Sequence, residues 1–511
     1  MKISKFIPLL VFVSGLTLLY GMTFILIDFI DTPVNGITDI LIVSLKWGYM
    51  TVMTSILLYF LSVNKYVFSI FFPLLSVLCA TLSYYKLTLN VELTQMVIDL
   101  ALVNDFRTSF DAVSWQLFLL LLAVLFLSVC IVIYRFKKIA VSYGWIQLVI
   151  AFALLFVIDN TFVLSQPLVR HTPFSIYYSF QSYFENRRII AEDRPELNGE
   201  VHSESDSITV VFVLGESLSA KNMQINGYQR ATTPYICKEK NVVSLPHIYS
   251  EYGYTHESVP YILTRADHEH PESGYEERSF ISLFKKAGFR TTWLANQESI
   301  STFVYFMNEC DSLINVSNGK SLFIFSKWLD EDLLPYYKQV LNEPYTRQFL
   351  LVHTVGSHWY YNNHYPDSYK RFTPVTKSKV VSSNTHEEML NAYDNSILYS
   401  DYIWYLLINE LRDRNAILIY LSDHSENMGE DGHYTHGDGD WPAQHYPGCF
   451  VWYSDKYKSL YPEKIARLVQ NKDQEYNTSF LFHSILDAAD IQYSCLNDDE
   501  DIFRRVYDAA Y

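Results

Sequence analysis

The hydrophobic pattern changes character near residue 165. Before it, apolar residues come in long unbroken runs; after it, they come in short runs that alternate with amphipathic stretches. Residues 6–27, 47–64, 66–85, 112–134 and 139–158 contain no Asp, Glu, Lys or Arg. At 1.5 Å rise per residue each is long enough to cross the apolar part of a bilayer, so five transmembrane helices are predicted. The second is expected to start nearer residue 41, with Lys46 snorkelling to an interface. Pro73 within the third is tolerable where packed neighbours re-satisfy the freed backbone. The first run is too long for a signal-peptide core, and no small-residue cleavage site follows it.

Downstream, residues 208–214, 291–295, 349–355, 416–421 and 450–453 read as strands, and 279–287 and 389–411 as helices between them. Alternation of this kind predicts an α/β domain with a mostly parallel central sheet covered by helices. The expected organisation is an all-α five-helix membrane domain at 1–165, a bridging segment at 166–205 and a catalytic domain at 206–511. Residues 96–103 fit an amphipathic surface helix. The aromatic stretch 175–188, ending in two arginines, fits either a helix lying among lipid headgroups or a linker helix packed on the soluble domain.

Charge sharpens this division. The 511 residues carry 39 Lys+Arg against 55 Asp+Glu, a net of −16, which excludes a nucleic-acid binder because that needs a basic footprint. Residues 1–165 hold nine basic and eight acidic side chains, so the remainder carries −17. Lys2, Lys5, Lys65, Arg135, Lys137 and Lys138 all fall on one side of the five spans, whereas the 31–40 loop has no basic residue. The positive-inside rule then places the N-terminus in the cytoplasm and residues 166–511 outside it. Cys237, Cys310, Cys449 and Cys495 lie in that exported part; their spacing is not that of a zinc ribbon, and their pairing stays open.

In open α/β sheets the chemistry collects beyond the carboxyl ends of the strands. The 208–214 strand runs into Gly215-Glu216-Ser217, and the 349–355 strand through His353 to Gly356-Ser357-His358. The 416–421 strand runs into Ser422-Asp423-His424-Ser425-Glu426, with His436 a short loop later. Each piece alone has a bland explanation, such as a charge at a helix N-terminus. Several at one sheet edge predict a zinc- or manganese-type site built from carboxylate oxygen and imidazole nitrogen. Thr255 and Ser258 are the hydroxyl candidates for a nucleophile, since a metal-bound hydroxyl loses its proton readily.

In order along the chain, Gly215-Glu216-Ser217, Asn226-Gly227-Tyr228, Thr232-Thr233-Pro234, Thr255 with Ser258-Val259-Pro260, Asn391-Ala392-Tyr393-Asp394-Asn395, Ser422-Asp423-His424 and Tyr434-Thr435-His436-Gly437 resemble the membrane-bound phosphoethanolamine transferases. The resemblance covers essentially the whole chain. It implies an alkaline-phosphatase/sulfatase-like fold and one zinc ion held by Glu216, Thr255, Asp423 and His424, with Thr255 as nucleophile. His353, His358 and His436 match positions available to a second metal or to the transferring phosphate. It further implies a monomeric multi-pass enzyme of the bacterial inner membrane with a periplasmic catalytic domain. Its donor would be phosphatidylethanolamine, and its acceptor lipid A or another envelope glycan. The chain departs from the family at Glu251 and Tyr261, where relatives carry cysteines. The 86–111 loop departs too: Asp99, Val103 and Arg107 stand where the family has Asn, Thr and Glu positions that touch the lipid, and Asp99 and Asn104 are the expected lipid contacts here. The alternatives are a phosphoglycerol transferase of the lipoteichoic-acid-synthase type, a catalytically inactive membrane scaffold, and a sulfatase. The last would need a C/S-x-P-x-R nucleophile setting, which the expected loop lacks.

Overall fold

The computed structural model describes residues 7–89, 92–93, 97–98, 114–317, 320, 327–436 and 441–504. It divides into two compact units: Met1–Glu185 with Gly319–Phe325 and Lys377–Ser383, and the rest of the chain.

The first unit is helical. Its helices are α1 (Ile7–Tyr20), which continues through a π turn and a 3₁₀ turn to Phe29, α2 (Ile37–Val63), α3 (Lys65–Leu89), α4 (Trp115–Lys138) and α5 (Gly144–Asp159). Four of these are long and apolar enough to cross a membrane. A fifth span results if α5 and the following Phe162–Leu168, bent from it by 94°, count as one. α2 starts earlier than the apolar run alone suggests and carries Lys46 within it, and α3 accommodates Pro73. Leu9, Val13, Leu16, Leu58, Phe68 and Phe72 pack inward, whereas many apolar side chains of α4 and α5 face outward, as lipid-facing helices require. Residues 175–188 lie on a helix, α6 (Phe174–Ile190). The expected surface helix at 96–103 falls largely outside the described residues.

The second unit is built on a seven-stranded sheet ordered β3-β9-β8-β2-β7-β5-β6, comprising β2 (Ile208–Gly215), β3 (Val242–Ser244), β5 (Arg290–Ala295), β6 (Ser312–Asn315), β7 (Arg347–His353), β8 (Ala416–Ser422) and β9 (Cys449–Tyr453). The β8-β2-β7-β5-β6 pairings are parallel, while β9 runs antiparallel to both β8 and β3. Two small sheets pair β1 (Val201–Ser203) with β11 (Ile491–Tyr493) and β4 (Ile248–Tyr249) with β10 (Tyr476–Asn477). β2 reads ITVVFVLG and is buried along its length, the near-continuous apolar run of a parallel strand covered on both faces. Among the covering helices are α7 (Thr255–Leu263), α8 (Phe280–Lys286) and α9 (His386–Asn409). α9 starts at a capping box in which Thr385 Oγ1 accepts from the Glu388 amide and Glu388 Oε2 accepts from the Thr385 amide.

The register of the three central strands positions the chemistry. Leu214 of β2 lies opposite His353 of β7, and Gly215 lies opposite Ser422 of β8. The segments that begin at Glu216, Thr354 and Asp423 therefore leave the sheet side by side. All six cysteines are unpaired.

Candidate metal centre

Glu216 is the first residue beyond β2 and is buried. Ser217 follows with φ of 56°, and this left-handed turn lets its Oγ donate back to Glu216 Oε1 at 2.7 Å. The other carboxylate oxygen, Oε2, accepts from Gln297 Nε2 at 3.1 Å and from Thr255 Oγ1 at 3.1 Å. Thr255 is the first residue of α7, the positive end of that helix. Asp423 Oδ1 accepts from the amides of Ser217 and His424 at 3.0 and 2.8 Å. His424 Nδ1 lies 2.7 Å from the Ser425 carbonyl oxygen, to which it donates, so Nε2 turns its lone pair inward. Nε2 stands 3.4 Å from Thr255 Oγ1, 3.5 Å from Glu216 Oε1 and 3.4 Å from Asp423 Oδ2.

These separations test whether the four residues fit a metal ion. Donor atoms at about 2.0–2.1 Å from a tetrahedral centre lie about 3.3–3.4 Å from one another. With Glu216 Oε1, Thr255 Oγ1, His424 Nε2 and Asp423 Oδ2 as donors, the Glu216–Thr255, Glu216–His424, Thr255–His424 and Asp423–His424 edges run from 3.3 to 3.5 Å. Asp423 Oδ2 is buried and makes no hydrogen bond among the described residues, a costly state for a carboxylate oxygen unless a cation faces it. The electrostatics agree. Burial alone would raise the Glu216 carboxyl, but His424, with His358 and His436 behind it, holds it well below the usual carboxylate range. Burial and the neighbouring Glu216 push Asp423 up to about 6. Burial works against a charged His424, yet Asp423 and Glu216 overcome it and raise that imidazole to about 10. Two buried carboxylates thus draw positive charge to this point, and a metal ion suits it.

His436 joins the cluster from the other side. One ligand atom each from Glu216, His424 and His436 lie within 4.8 Å of one another. His436 Nδ1 is 3.2 Å from Glu426 Oε1, and Glu426 Oε2 accepts from the Tyr361 hydroxyl at 3.1 Å. The His358 ring lies 5.6 Å from that of His436, with its Nδ1 2.5 Å from the Trp359 carbonyl oxygen. Loss of solvent lowers the His358 pKa. His353 is not brought into the group: it ends β7 buried between the rings of Trp293 and Phe303, and burial pushes it down to about 4. Asp99, Val103, Asn104 and Arg107 lie outside the described residues.

Several supporting residues carry no motif of their own. Gln297 lies two residues beyond the end of β5, at the same sheet edge as the others; that position was its one available signal. Buried Asp330 accepts from Asn296 Nδ2 and from the amides of Val355 and Gly356 at 2.9, 2.9 and 3.1 Å. This pins Gly356 against Glu216 so closely that a Cβ there would lie 2.9 Å from the Glu216 backbone nitrogen and oxygen. Tyr393 donates its hydroxyl to the Ser217 carbonyl at 2.7 Å and accepts from the Ser219 amide at 2.8 Å. Asp394 gathers Asn222, Tyr228 and Arg230. Tyr393 and Asp394 therefore clamp the segment after Glu216, while Asn391 and Asn395 bond to the backbone of Arg371, Phe372 and Pro374.

The model of the sulfatase family matches residues 208–491. Phosphoethanolamine transferase EptC of Escherichia coli (strain K12) is 25% identical over 456 residues, covering 81% of this chain and 78% of that protein. Among solved structures, the periplasmic domain of Escherichia coli EptC in complex with Zn superposes with a TM-score of 0.56 at 24% identity, over 62% of this chain and 92% of that one. The integral membrane lipooligosaccharide phosphoethanolamine transferase A of Neisseria meningitidis superposes with a TM-score of 0.55 at 21% identity, over 96% and 98% of the two chains. The family model spans more than half of the sequence, and the chain belongs to the sulfatase family, among relatives that are phosphoethanolamine transferases.

Proposed function

We propose that this protein is a metal-dependent transferase that moves phosphoethanolamine from phosphatidylethanolamine to lipid A or another envelope-glycan acceptor, through a covalent intermediate on Thr255. The observation that carries the reading is that Thr255 Oγ1 lies 3.1 Å from Glu216 Oε2 and 3.4 Å from His424 Nε2, with Asp423 Oδ2 3.4 Å from the same His424 nitrogen. The reaction type and the acceptor class follow the names of the relatives, and phosphatidylethanolamine is the donor that the family resemblance implies. The same likeness supports an inner-membrane location with the catalytic unit in the periplasm, and the basic loops support a cytoplasmic N-terminus.

A zinc ion held by Glu216, Thr255, Asp423 and His424 would supply Lewis-acid stabilisation of negative charge and ease the loss of a proton from a hydroxyl. The chain's own groups do the rest. Thr255 Oγ1, steered by Glu216 and His424, attacks phosphorus in line with the bond to diacylglycerol. The Thr255 oxygen–phosphorus bond forms as the bond to the glycerol oxygen breaks; the proton that Thr255 Oγ1 gives up is balanced by the one taken up by the glycerol oxygen, so diacylglycerol leaves as a neutral alcohol. His436, anchored through Nδ1 to Glu426, keeps Nε2 free to face the transferring phosphate, and His358 stands beside it. In the second step the acceptor oxygen attacks the same phosphorus and Thr255 leaves, which gives ping-pong kinetics.

The test uses full-length protein in detergent with acyl-labelled phosphatidylethanolamine. The expected result is labelled diacylglycerol and a phosphoethanolamine mass on the Thr255 peptide, both lost in Thr255→Ala. Transfer by Thr255→Ala at full metal content would refute the assignment of the nucleophile. Turnover of phosphatidylglycerol in place of phosphatidylethanolamine would refute that of the donor.

A further inference from the structure

Within the helical unit a cavity of about 720 Å³ opens between the α2–α3 turn and the α4–α5 connection. Its lining includes four cations, Lys65, Arg135, Lys137 and Lys138, and no acidic side chain. Arg135 is consumed internally: Nε and Nη2 donate to the Ser62 carbonyl at 2.9 and 2.7 Å, and Nη1 donates to Ile139 at 2.7 Å. It thereby ties the two connections together and leaves the lysines to face outward from a fixed frame. Lys65 Nζ stands 5.2 Å from the ring centres of both Tyr66 and Phe136. Lys137 and Lys138 are exposed and make no ion pair among the described residues. α5 starts beside them without a side-chain cap, so the positive end of a 16-residue helix adds to the same field. The flanks are apolar: Tyr66 is 63% exposed, Trp145 73% and Leu148 40%.

An anion is favoured inside such a cavity, and hydrocarbon is favoured along its rim. A soluble phosphate would satisfy the first half only. We propose that this cavity binds the headgroup of an anionic phospholipid, its phosphate held by Lys65, Lys137 and Lys138 and its acyl chains lying along Tyr66, Trp145 and Leu148. In the topology proposed above, Lys65 and the 135–138 connection lie on the cytoplasmic side of the membrane. The proposed site rests on that placement and not on the transfer chemistry.

Native mass spectrometry of the full-length protein, titrated with phosphatidylglycerol or phosphatidylethanolamine, tests this. The wild type is expected to retain phosphatidylglycerol through washing that removes phosphatidylethanolamine. Lys65→Gln/Lys137→Gln/Lys138→Gln should weaken that retention at least tenfold, and Lys→Arg at the same positions should restore it. Equal retention of the two lipids by the wild type overturns the proposal. So does undiminished retention by the triple variant, or displacement of the lipid by pyrophosphate at equal concentration. If the glutamine variant does not fold, as judged by its metal content, the lipid preference of the wild type and its loss in high salt decide the matter. Because the readout is bound lipid, failure of the phosphoethanolamine assay leaves this result standing.

Discussion

Replacing Gly356 by alanine probes how the sheet edge holds Glu216 in place. Gly356 has φ of 53°, and an added Cβ would lie 2.9 Å from the backbone nitrogen and oxygen of Glu216 and 3.1 Å from its Cβ. The obstructing atoms are mostly main chain at the end of the central strand, which cannot swing aside as a side chain would. Two costs follow. A left-handed backbone on a residue with a Cβ costs about 1–2 kcal/mol. Overpacking against fixed atoms adds about 1–3 kcal/mol. Gly227 separates them, because it has φ of 95° but nothing within 4 Å of where a Cβ would go. Gly227→Ala should therefore show the conformational cost alone. Thermal unfolding of the two variants in detergent, with chelator present, should place Gly356→Ala several degrees below Gly227→Ala, at roughly 2–4 °C per kcal/mol for a domain of this size. Chelator competition should show zinc binding weakened at least tenfold by Gly356→Ala, since the overlap displaces a ligand, and unchanged by Gly227→Ala. Equal melting losses with unaltered zinc affinity in both would refute the argument that Gly356 is needed for its contact with Glu216.

Gln297→Leu removes the hydrogen bond to Glu216 Oε2 while keeping bulk, and should lower zinc affinity about 10–100-fold in chelator competition with little change in melting temperature. Tyr393→Phe leaves the Ser219 amide and the Ser217 carbonyl without their shared hydroxyl, and should cost about 1–3 kcal/mol in denaturant unfolding. His483, outside the centre, is held down to about 4 from 6.5 by burial and Arg265. As pH falls from about 6.5 towards 4 the unfolded chain gains a proton that the native state refuses, so stability declines across that window, by up to about 3 kcal/mol. His483→Gln should flatten this decline between pH 8 and pH 5 in denaturant titrations, and a slope equal to wild type would count against the assignment.

The parts of this protein that sequence discloses are those where one physical demand dominates locally. Burial on both faces makes β2, β7 and β8 nearly continuous apolar runs, so they stand out, and the groups just beyond them, Glu216, Asp423 and His424, stand out with them. β6 was not legible, because SLIN at a sheet edge is neither continuously apolar nor alternating. The three-residue β3 and the antiparallel direction of β9 depend on partners far along the chain. The same holds for Gln297, which meets Glu216 across 81 residues, and for Asp330, whose role is to hold the Gly356 loop. Both are ordinary polar residues whose meaning comes from the register of strands elsewhere. His353 shows the converse. Its position at a strand end matches a family histidine, yet the fold encloses it between aromatic rings.

The central strand has to wait for its neighbours. β2 pairs on one side with β7 and on the other with β8, where Thr209 meets Ala416, about two hundred residues later. At ribosomal rates of about 5–20 residues per second, the second edge stays open for roughly 10–40 s after β2 emerges. Throughout that time the segment ITVVFVLG, uncharged and rich in β-branched residues, is a template for pairing with any other exposed strand. Biogenesis of this protein therefore depends on shielding one short segment until most of the chain has been made. Substitutions that weaken β8 should lower yield through aggregation of nascent chains before they lower the stability of the finished fold.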